Sequence, residues 1–314
     1  MKSSSIIIPK KLFFGIVSIL LVFVVSSLFA IIKRPSVAIF TPSTEPTDSV
    51  YSVRVHPPVF PKQADFCGED VPLQLPDIRE RFDKELIINT YLQGSSLLNM
   101  KQTMRWFPVI ESILRKNNVP DDFKYLCIAE SALQQVVSRA GAAGFWQFMP
   151  ETGKQYNLEI NDEIDERYNV EAATEAACVY LTKSKNELGS WTLAAAGYNC
   201  GTAGCAGFMN AQHQKNYYDL LLPEETMRYV FRILAIKEIY THPKRYGFDL
   251  ETNDYYPAYQ YKTITTSESI TDLAQFAIDN GSNYKLLKMM NPWMRKPFLK
   301  NLKHKSYEIK IPIL

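Results

Sequence analysis

Apolar residues recur at helical spacing through the middle of this chain and at strand spacing only near its end. From Asp77, which follows Pro76 and reads as an N-cap, Ile78, Phe82 and Leu86 recur every four residues, and Gly94 is the expected stop. A second pattern runs through Trp106, Val109, Ile110, Ile113 and Leu114 and halts before Asn117-Asn118-Val119-Pro120. Pro120-Asp121-Asp122 opens a third helix, with proline in its first turn and acidic residues at the positive end of its dipole. Val170 to Leu188 is an alanine-rich helix showing Ala173, Ala177, Tyr180 and Leu181 on one face. Glu224 to Thr241 is amphipathic (Met227, Val230, Phe231, Leu234), ends at His242-Pro243 and reads as core. Past Tyr255-Tyr256-Pro257 the period changes. Tyr261 to Thr265 alternates as a strand, a short helix closes at Gly281, Asn283 to Met290 suggests another, and Tyr307 to Pro312 alternates again. The expected architecture is a mainly α body followed by a small α+β module of βααβ order.

Composition adds limits. At 314 residues, with 46% hydrophobic and 22% charged, the chain is ordinary globular material with room for one large core and a smaller module. Its 35 basic and 33 acidic residues give a net charge of +2, so no nucleic-acid partner is called for. The 18 tyrosines and 17 phenylalanines suit a core and also a carbohydrate groove. The four histidines are scattered and form no zinc pattern with the five cysteines, so no metal or cofactor is expected. An odd cysteine count excludes complete intramolecular pairing. Cys200 and Cys205, in CGTAGC, read as one loop; they either bridge in an oxidising compartment or act as small buried hydrophobes.

The N-terminus carries an uncharged run of 21 residues, Leu12 to Ile32, between Lys10-Lys11 and Lys33-Arg34. That length matches a bilayer and exceeds the usual secretory core, favouring an uncleaved anchor over cleavage after Ala30. It places the body of the chain outside the cytoplasm. Residues 35–64 are rich in Pro, Ser and Thr and read as a semi-extended tether. The expected division is 1–34 anchor or signal, 35–64 linker, 65–254 helical domain and 255–314 C-terminal module.

The chemistry concentrates between Glu130 and Thr152. Phe123, Cys127 and Glu130 fall on one helical stripe, so the Glu130 carboxyl sits among apolar neighbours. Desolvation there raises its pKa, as a general acid working near neutrality requires. A helix-end glutamate turned to solvent, or capping a neighbour, satisfies the same pattern. A small-residue turn, Ala140-Gly141-Ala142-Ala143-Gly144, and an aromatic run, Phe145 to Met149, follow. Further on, Tyr198-Asn199 lies between an Ala-rich helix and a Gly-containing loop, as polar contacts to a sugar or as a tight junction.

Together these stretches resemble the catalytic domain of lytic murein transglycosylases, the D-type branch in particular, whose fold is related to goose-type lysozyme. The matching residues are Glu130-Ser131, then Ser138-Arg139-Ala140-Gly141-Ala142-Ala143-Gly144, then Gln147-Phe148-Met149-Pro150, then Tyr198-Asn199-Cys200-Gly201. The similarity runs from about Phe66 to about Leu250. The resemblance implies a lysozyme-like helical fold, Glu130 as the sole catalytic acid and base, and Ser138, Gln147, Met149, Tyr198 and Asn199 lining a glycan groove. It implies cleavage of peptidoglycan strands between N-acetylmuramic acid and N-acetylglucosamine, with a 1,6-anhydro end formed and no water consumed. It also implies a cell-envelope, periplasmic location. Ordinary glycosidases use two carboxylates. Asp121, Asp122, Glu151, Glu163, Asp165 and Glu166 offer no convincing second one, which fits a one-carboxylate mechanism. Hydrolysis by a lysozyme-type muramidase, or glycan binding without catalysis, are the competing readings.

The C-terminal βααβ order resembles a LysM peptidoglycan-binding module ending in Ile-Pro, with Asn291 after the second helix. It lacks Gly-Asp after the first strand and carries a basic insert, Arg295 to Lys305, read as a solvated loop, with contact to anionic wall polymer or lipid as the alternative. The alternative for this module is a packing appendage.

Overall fold

Burial follows the predicted stripes, with the element boundaries shifted. In the computed structural model, which describes residues 55–313, helix α1 (Pro76–Tyr91) buries Ile78, Phe82 and Leu86. Leu75 occupies the cap position, so Asp77 sits in the first turn, where its charge favours the helix dipole. The stop comes at Leu92 rather than Gly94: Leu92 leaves helical geometry while its N–H still bonds to the Ile88 carbonyl. Gly94 instead falls in the first turn of α2 (Gln93–Lys116). Helix α3 (Phe123–Ser131) follows, then a long excursion to α4 (Pro150–Gln155) and α5 (Val170–Leu188). Helices α6 (Trp191–Cys200), α7 (Thr202–Gln212) and α8 (Glu224–Thr241) complete the body.

Helix α8 is the hub, packing against α1, α3 and α6. Its inward residues Val230, Phe231, Ile233 and Leu234 are buried, and each such side chain contributes roughly 1.5–3 kcal/mol by leaving water. Helix α6 is anchored from outside the body of helices. The short hairpin of β1 (Asp65–Phe66) and β2 (Glu69–Asp70) turns at Cys67-Gly68, both with positive φ. It aims the Glu69 carboxylate at the N-terminus of α6, where it accepts the N–H groups of Trp191 at 2.7 Å and Thr192 at 2.8 Å. An anion there complements the helix dipole.

The stretch CGTAGC is a junction between two helices. Cys200 ends α6, Gly201 turns with φ of 79°, and Cys205 already belongs to α7. All five cysteines are free thiols, and the neighbouring Cys205 thiol lowers the Cys200 pKa to about 7 against the burial that raises it. Val59 to Ala64, the end of the expected tether, pack on the body: Tyr246 donates to the Val59 carbonyl at 2.9 Å and Phe60 meets Phe82 edge-on. The Leu12–Ile32 segment lies outside the described residues, among which no helix is long and apolar enough to cross a membrane.

In the C-terminal module β3 (Tyr261–Thr266) pairs antiparallel with β4 (Tyr307–Pro312), and α9 (Leu273–Asp279) and α10 (Tyr284–Met290) lie between them in sequence. Leu273, Leu287, Ile309 and Ile311 form its core, but Ala143, Ile164 and Tyr168 of the helical body are part of the same cluster. Asn291, fully buried, donates to the Lys310 carbonyl and accepts its N–H, tying the end of α10 to β4. The basic insert is not a free solvated loop. It runs along the acidic edge at 159–166, where Arg295 N–H meets the Glu163 carbonyl, Lys300 N–H meets the Glu163 carboxylate, and Lys305 pairs with Glu159 at 2.8 Å. Acidic and basic stretches well apart in sequence neutralise each other there.

Candidate active site

Glu130 sits in the last turn of α3, partly buried, with Cys127 and Phe123 fully buried on its stripe. The helix stops one residue later because Ala132 and Leu133 both take left-handed φ of 55°, and the buried Leu133 side chain anchors the reversal. Two consecutive non-glycine residues in that region are strained, and such strain collects where a surrounding fold holds a site in place.

Burial raises the Glu130 carboxyl to about 7, opposed by a hydrogen bond from Tyr229 and by the positive charge of Arg232, and assisted by the negative Glu225. The Tyr229 hydroxyl donates to Glu130 Oε1 and fixes one oxygen, leaving the other for chemistry. Tyr229 and Arg232 stand three apart on α8, together with Thr226, whose hydroxyl donates to Asn199 Oδ1 at 2.8 Å. One face of α8 therefore connects Glu130 on α3 with Asn199 on α6. Sequence reasoning placed this helix in the core and missed these residues. The available signal was Thr226, Tyr229 and Arg232 at three-residue spacing along one side of an amphipathic helix.

Arg232 is itself held. Glu85 of α1, only 1% exposed, accepts from Arg228 at 2.7 Å and lies 3.9 Å from Arg232, which also reaches Glu225 at 3.0 Å.

The excursion from Ala132 to Met149 folds into a small braced structure. Ser138 N–H bonds to the Ala142 carbonyl, Ala142 N–H to Ser138 Oγ, and Ala143 N–H to the Phe148 carbonyl. Gly144 takes φ of 76°, and a Cβ there would stand 1.8 Å from the Arg167 carbonyl oxygen, so only glycine fits. Arg167 clamps the excursion from below: it donates to the Gly141 and Phe148 carbonyls and is forked onto Asp165. In the aromatic run Phe145, Trp146 and Phe148 are core, with the Trp146 indole N–H on Thr174, while Met149 is 42% exposed. Gln147 has φ of 48° and donates to the Val136 and Gly144 carbonyls, leaving its oxygen free to accept.

The six sequence-predicted residues thus separate into two kinds. Glu130 and Tyr198 are close enough that the Glu130 charge acts on the Tyr198 phenol, and Asn199 is exposed beside them. The Tyr198 hydroxyl donates to the Trp146 carbonyl at 2.7 Å, and its ring packs on Tyr180 and Phe148. Its donor is committed to the backbone rather than offered to a ligand. Ser138, exposed, and Gln147 brace the excursion, while Met149 displays an apolar side chain where α4 begins.

The carboxylates weighed as partners are engaged elsewhere. Asp122 accepts from Cys67 N–H and Lys237, and Asp121 pairs with Lys124. Glu151 pairs with Lys154, Asp165 with Arg167, Glu166 holds the Glu159 N–H, and Glu163 holds the C-terminal module. Among the described residues no cluster of His, Cys, Asp and Glu suits a metal ion.

Residues 107–220 match the family described as transglycosylase SLT domain, a range containing all six candidates. Residues 262–313 match the soluble lytic transglycosylase C-terminal LysM-like domain. Membrane-bound lytic murein transglycosylase D of Escherichia coli is 33% identical over 198 residues, covering 60% of this chain and 43% of that protein. The protein of the same name from a second Escherichia coli strain gives the same figures. The match therefore spans less than half the length of these relatives. Among solved structures, an inactive mutant of lytic transglycosylase Slt from Pseudomonas aeruginosa aligns with a TM-score of 0.37 at 17% identity, over 48% of this chain and 26% of that one. The chain carries a transglycosylase SLT domain followed by a LysM-like domain of the lytic transglycosylase type, as its motifs led one to expect.

Proposed function

We propose that this protein is a peptidoglycan lytic transglycosylase that uses Glu130 first as acid and then as base. The observation that carries the reading is a single carboxyl, held by Tyr229 and raised to about 7, with the other candidate acids engaged elsewhere. Near neutral pH a large fraction of such a group is protonated and can deliver its proton to a glycosidic oxygen. As the bond between N-acetylmuramic acid and N-acetylglucosamine breaks, the substrate's own acetamido carbonyl stabilises the positive anomeric carbon. The ionised Glu130 then takes the proton of the muramoyl 6-hydroxyl, whose oxygen closes on that carbon to give the 1,6-anhydro end. Holding an internal nucleophile in place is worth several kcal/mol.

Asn199 is the group that meets the acetamido unit, its oxygen held by Thr226 and its amide donor exposed. Tyr198 acts one step removed, fixing the Trp146 carbonyl and thereby Gln147. Gln147, Ser138 and Met149 form the rim of the groove. The domain division at 254/255 and an N-terminal anchor at Leu12–Ile32, holding the enzyme at the cell envelope, complete the reading.

Mass spectrometry of the muropeptides released from purified peptidoglycan tests it. Products one water lighter than reducing muropeptides are expected, and none from Glu130→Gln. Reducing ends would make the protein a hydrolytic muramidase instead. Binding without release would make it a scaffold.

A further inference from the structure

The C-terminal module does more than pack against the helical body; it leaves a cleft of about 500 Å³ between them. One wall is α2 with Trp106, and the other is the outer face of the β3–β4 sheet. Strand periodicity explains that face. Ile264, Ile309 and Ile311 turn toward the module's core, so Tyr261, Thr263 and Lys310 turn the other way, into the cleft. Tyr259 and Tyr261 are 38% and 40% exposed, and Gln135 lines the floor.

Three features define what fits. The cations are already occupied: Arg105 donates to the Pro257 carbonyl and the Tyr259 hydroxyl, and Lys310 pairs with Glu171. That disfavours an anionic polymer or lipid headgroup. What remains is aromatic surface interleaved with the Glu308 carboxylate and neutral polar groups, including Gln135, whose Nε2 donates to the Tyr168 carbonyl while its Oε1 has no partner. The volume lies in the range of small-ligand sites. Finally, the cleft is tied to the candidate active site through the excursion, although none of the six candidate residues lines it. Gln135 belongs to the excursion that begins after Glu130, the next residue's carbonyl receives Gln147, and Trp106 meets Phe145 edge-on at 5.0 Å.

We infer that this cleft is a remote glycan subsite, built jointly by both modules, that takes an uncharged stretch of N-acetylhexosamine chain leading away from Glu130. It rests on the reading of the substrate as peptidoglycan. The module acts by extending the groove of its own helical body.

The test uses the full chain carrying Glu130→Gln, titrated with N-acetylglucosamine trimer and hexamer and followed by tryptophan fluorescence, since Trp106 and Trp293 line the cleft. Tyr261→Ala should weaken hexamer binding about tenfold and leave the trimer unchanged. Thr263→Arg, which fills the cleft from an exposed strand position, should do the same and guards against a folding defect in the first variant. Equal hexamer affinity in all three proteins would overturn the inference. Peptidoglycan turnover, measured separately with an intact Glu130, reports on the proposed reaction alone. Loss of hexamer binding in Tyr261→Ala without any anhydro product would sink the reaction and keep the subsite.

Discussion

Two glutamates flank helix α8, and the body treats them in opposite ways. Glu85 is almost completely buried and is met by guanidinium groups from Arg228 and Arg232. Glu130 is less buried, yet its direct partner is the neutral Tyr229 hydroxyl, and Arg232 acts on it only at a distance. The cations go to Glu85, and Glu130, the carboxyl proposed for the chemistry, is left short of positive charge. A direct arginine at Glu130 would pull its pKa down and abolish its use as an acid near neutrality.

The largest expected effect comes from removing the uncompensated carboxyl. Glu130→Gln should lower turnover at least about a thousandfold, the loss typical of a residue serving as acid and base. The same change should stabilise the fold. Glu130 titrates near 7 in the folded chain against an ordinary 4.5, so the unfolded state releases its proton first as pH rises. Stability is therefore lost between those two values and stays lost above them, by at most roughly 3 kcal/mol. Thermal melts should show Glu130→Gln gaining most over the parent at pH 8 and little at pH 4.

Glu85→Gln should move stability the other way. It strands two arginines that still reach water, so a loss of about 2 kcal/mol is expected in denaturant titrations. If both substitutions shifted the melt in one direction, the contrast between the two sites would be wrong.

Tyr229→Phe sharpens the comparison. Removing a hydrogen bond that lowers the Glu130 pKa should carry the alkaline limb of the pH–rate profile upward, while the looser carboxyl costs about tenfold in kcat. A limb that stayed in place would mean that Tyr229 does not set the acid. Smallest of all, Asn199→Ala should cost about fivefold, chiefly in kcat/KM, if its amide steadies the acetamido unit.

How much of this was legible depended on distance along the chain. The stripe through Phe123, Cys127 and Glu130 and the βααβ order of the module are local periodicities, and the structure keeps them. Glu130 itself stood out only once the later motifs were joined to it. Tyr229 could not be read locally, because its partner lies 99 residues away and an amphipathic helix looks alike whether its tyrosine fills a core or holds an acid. The docking of Lys300 and Lys305 onto Glu163 and Glu159 was hidden for the same reason, as each stretch alone looks like a solvated surface. The helix break falls at the exposed Leu92 and Gly94 is taken into the first turn of α2, a boundary that glycine's local preference did not mark.

The central claim is that Glu130 stays protonated to near neutrality without a second carboxylate beside it. Carbon-13 NMR titration of the labelled Glu130 carboxyl, assigned through Glu130→Gln, measures this directly. A midpoint near 7, rising further in Tyr229→Phe, is the predicted result. A midpoint at the ordinary 4.5 would contradict the account, since the acid would then be ionised before any substrate arrived.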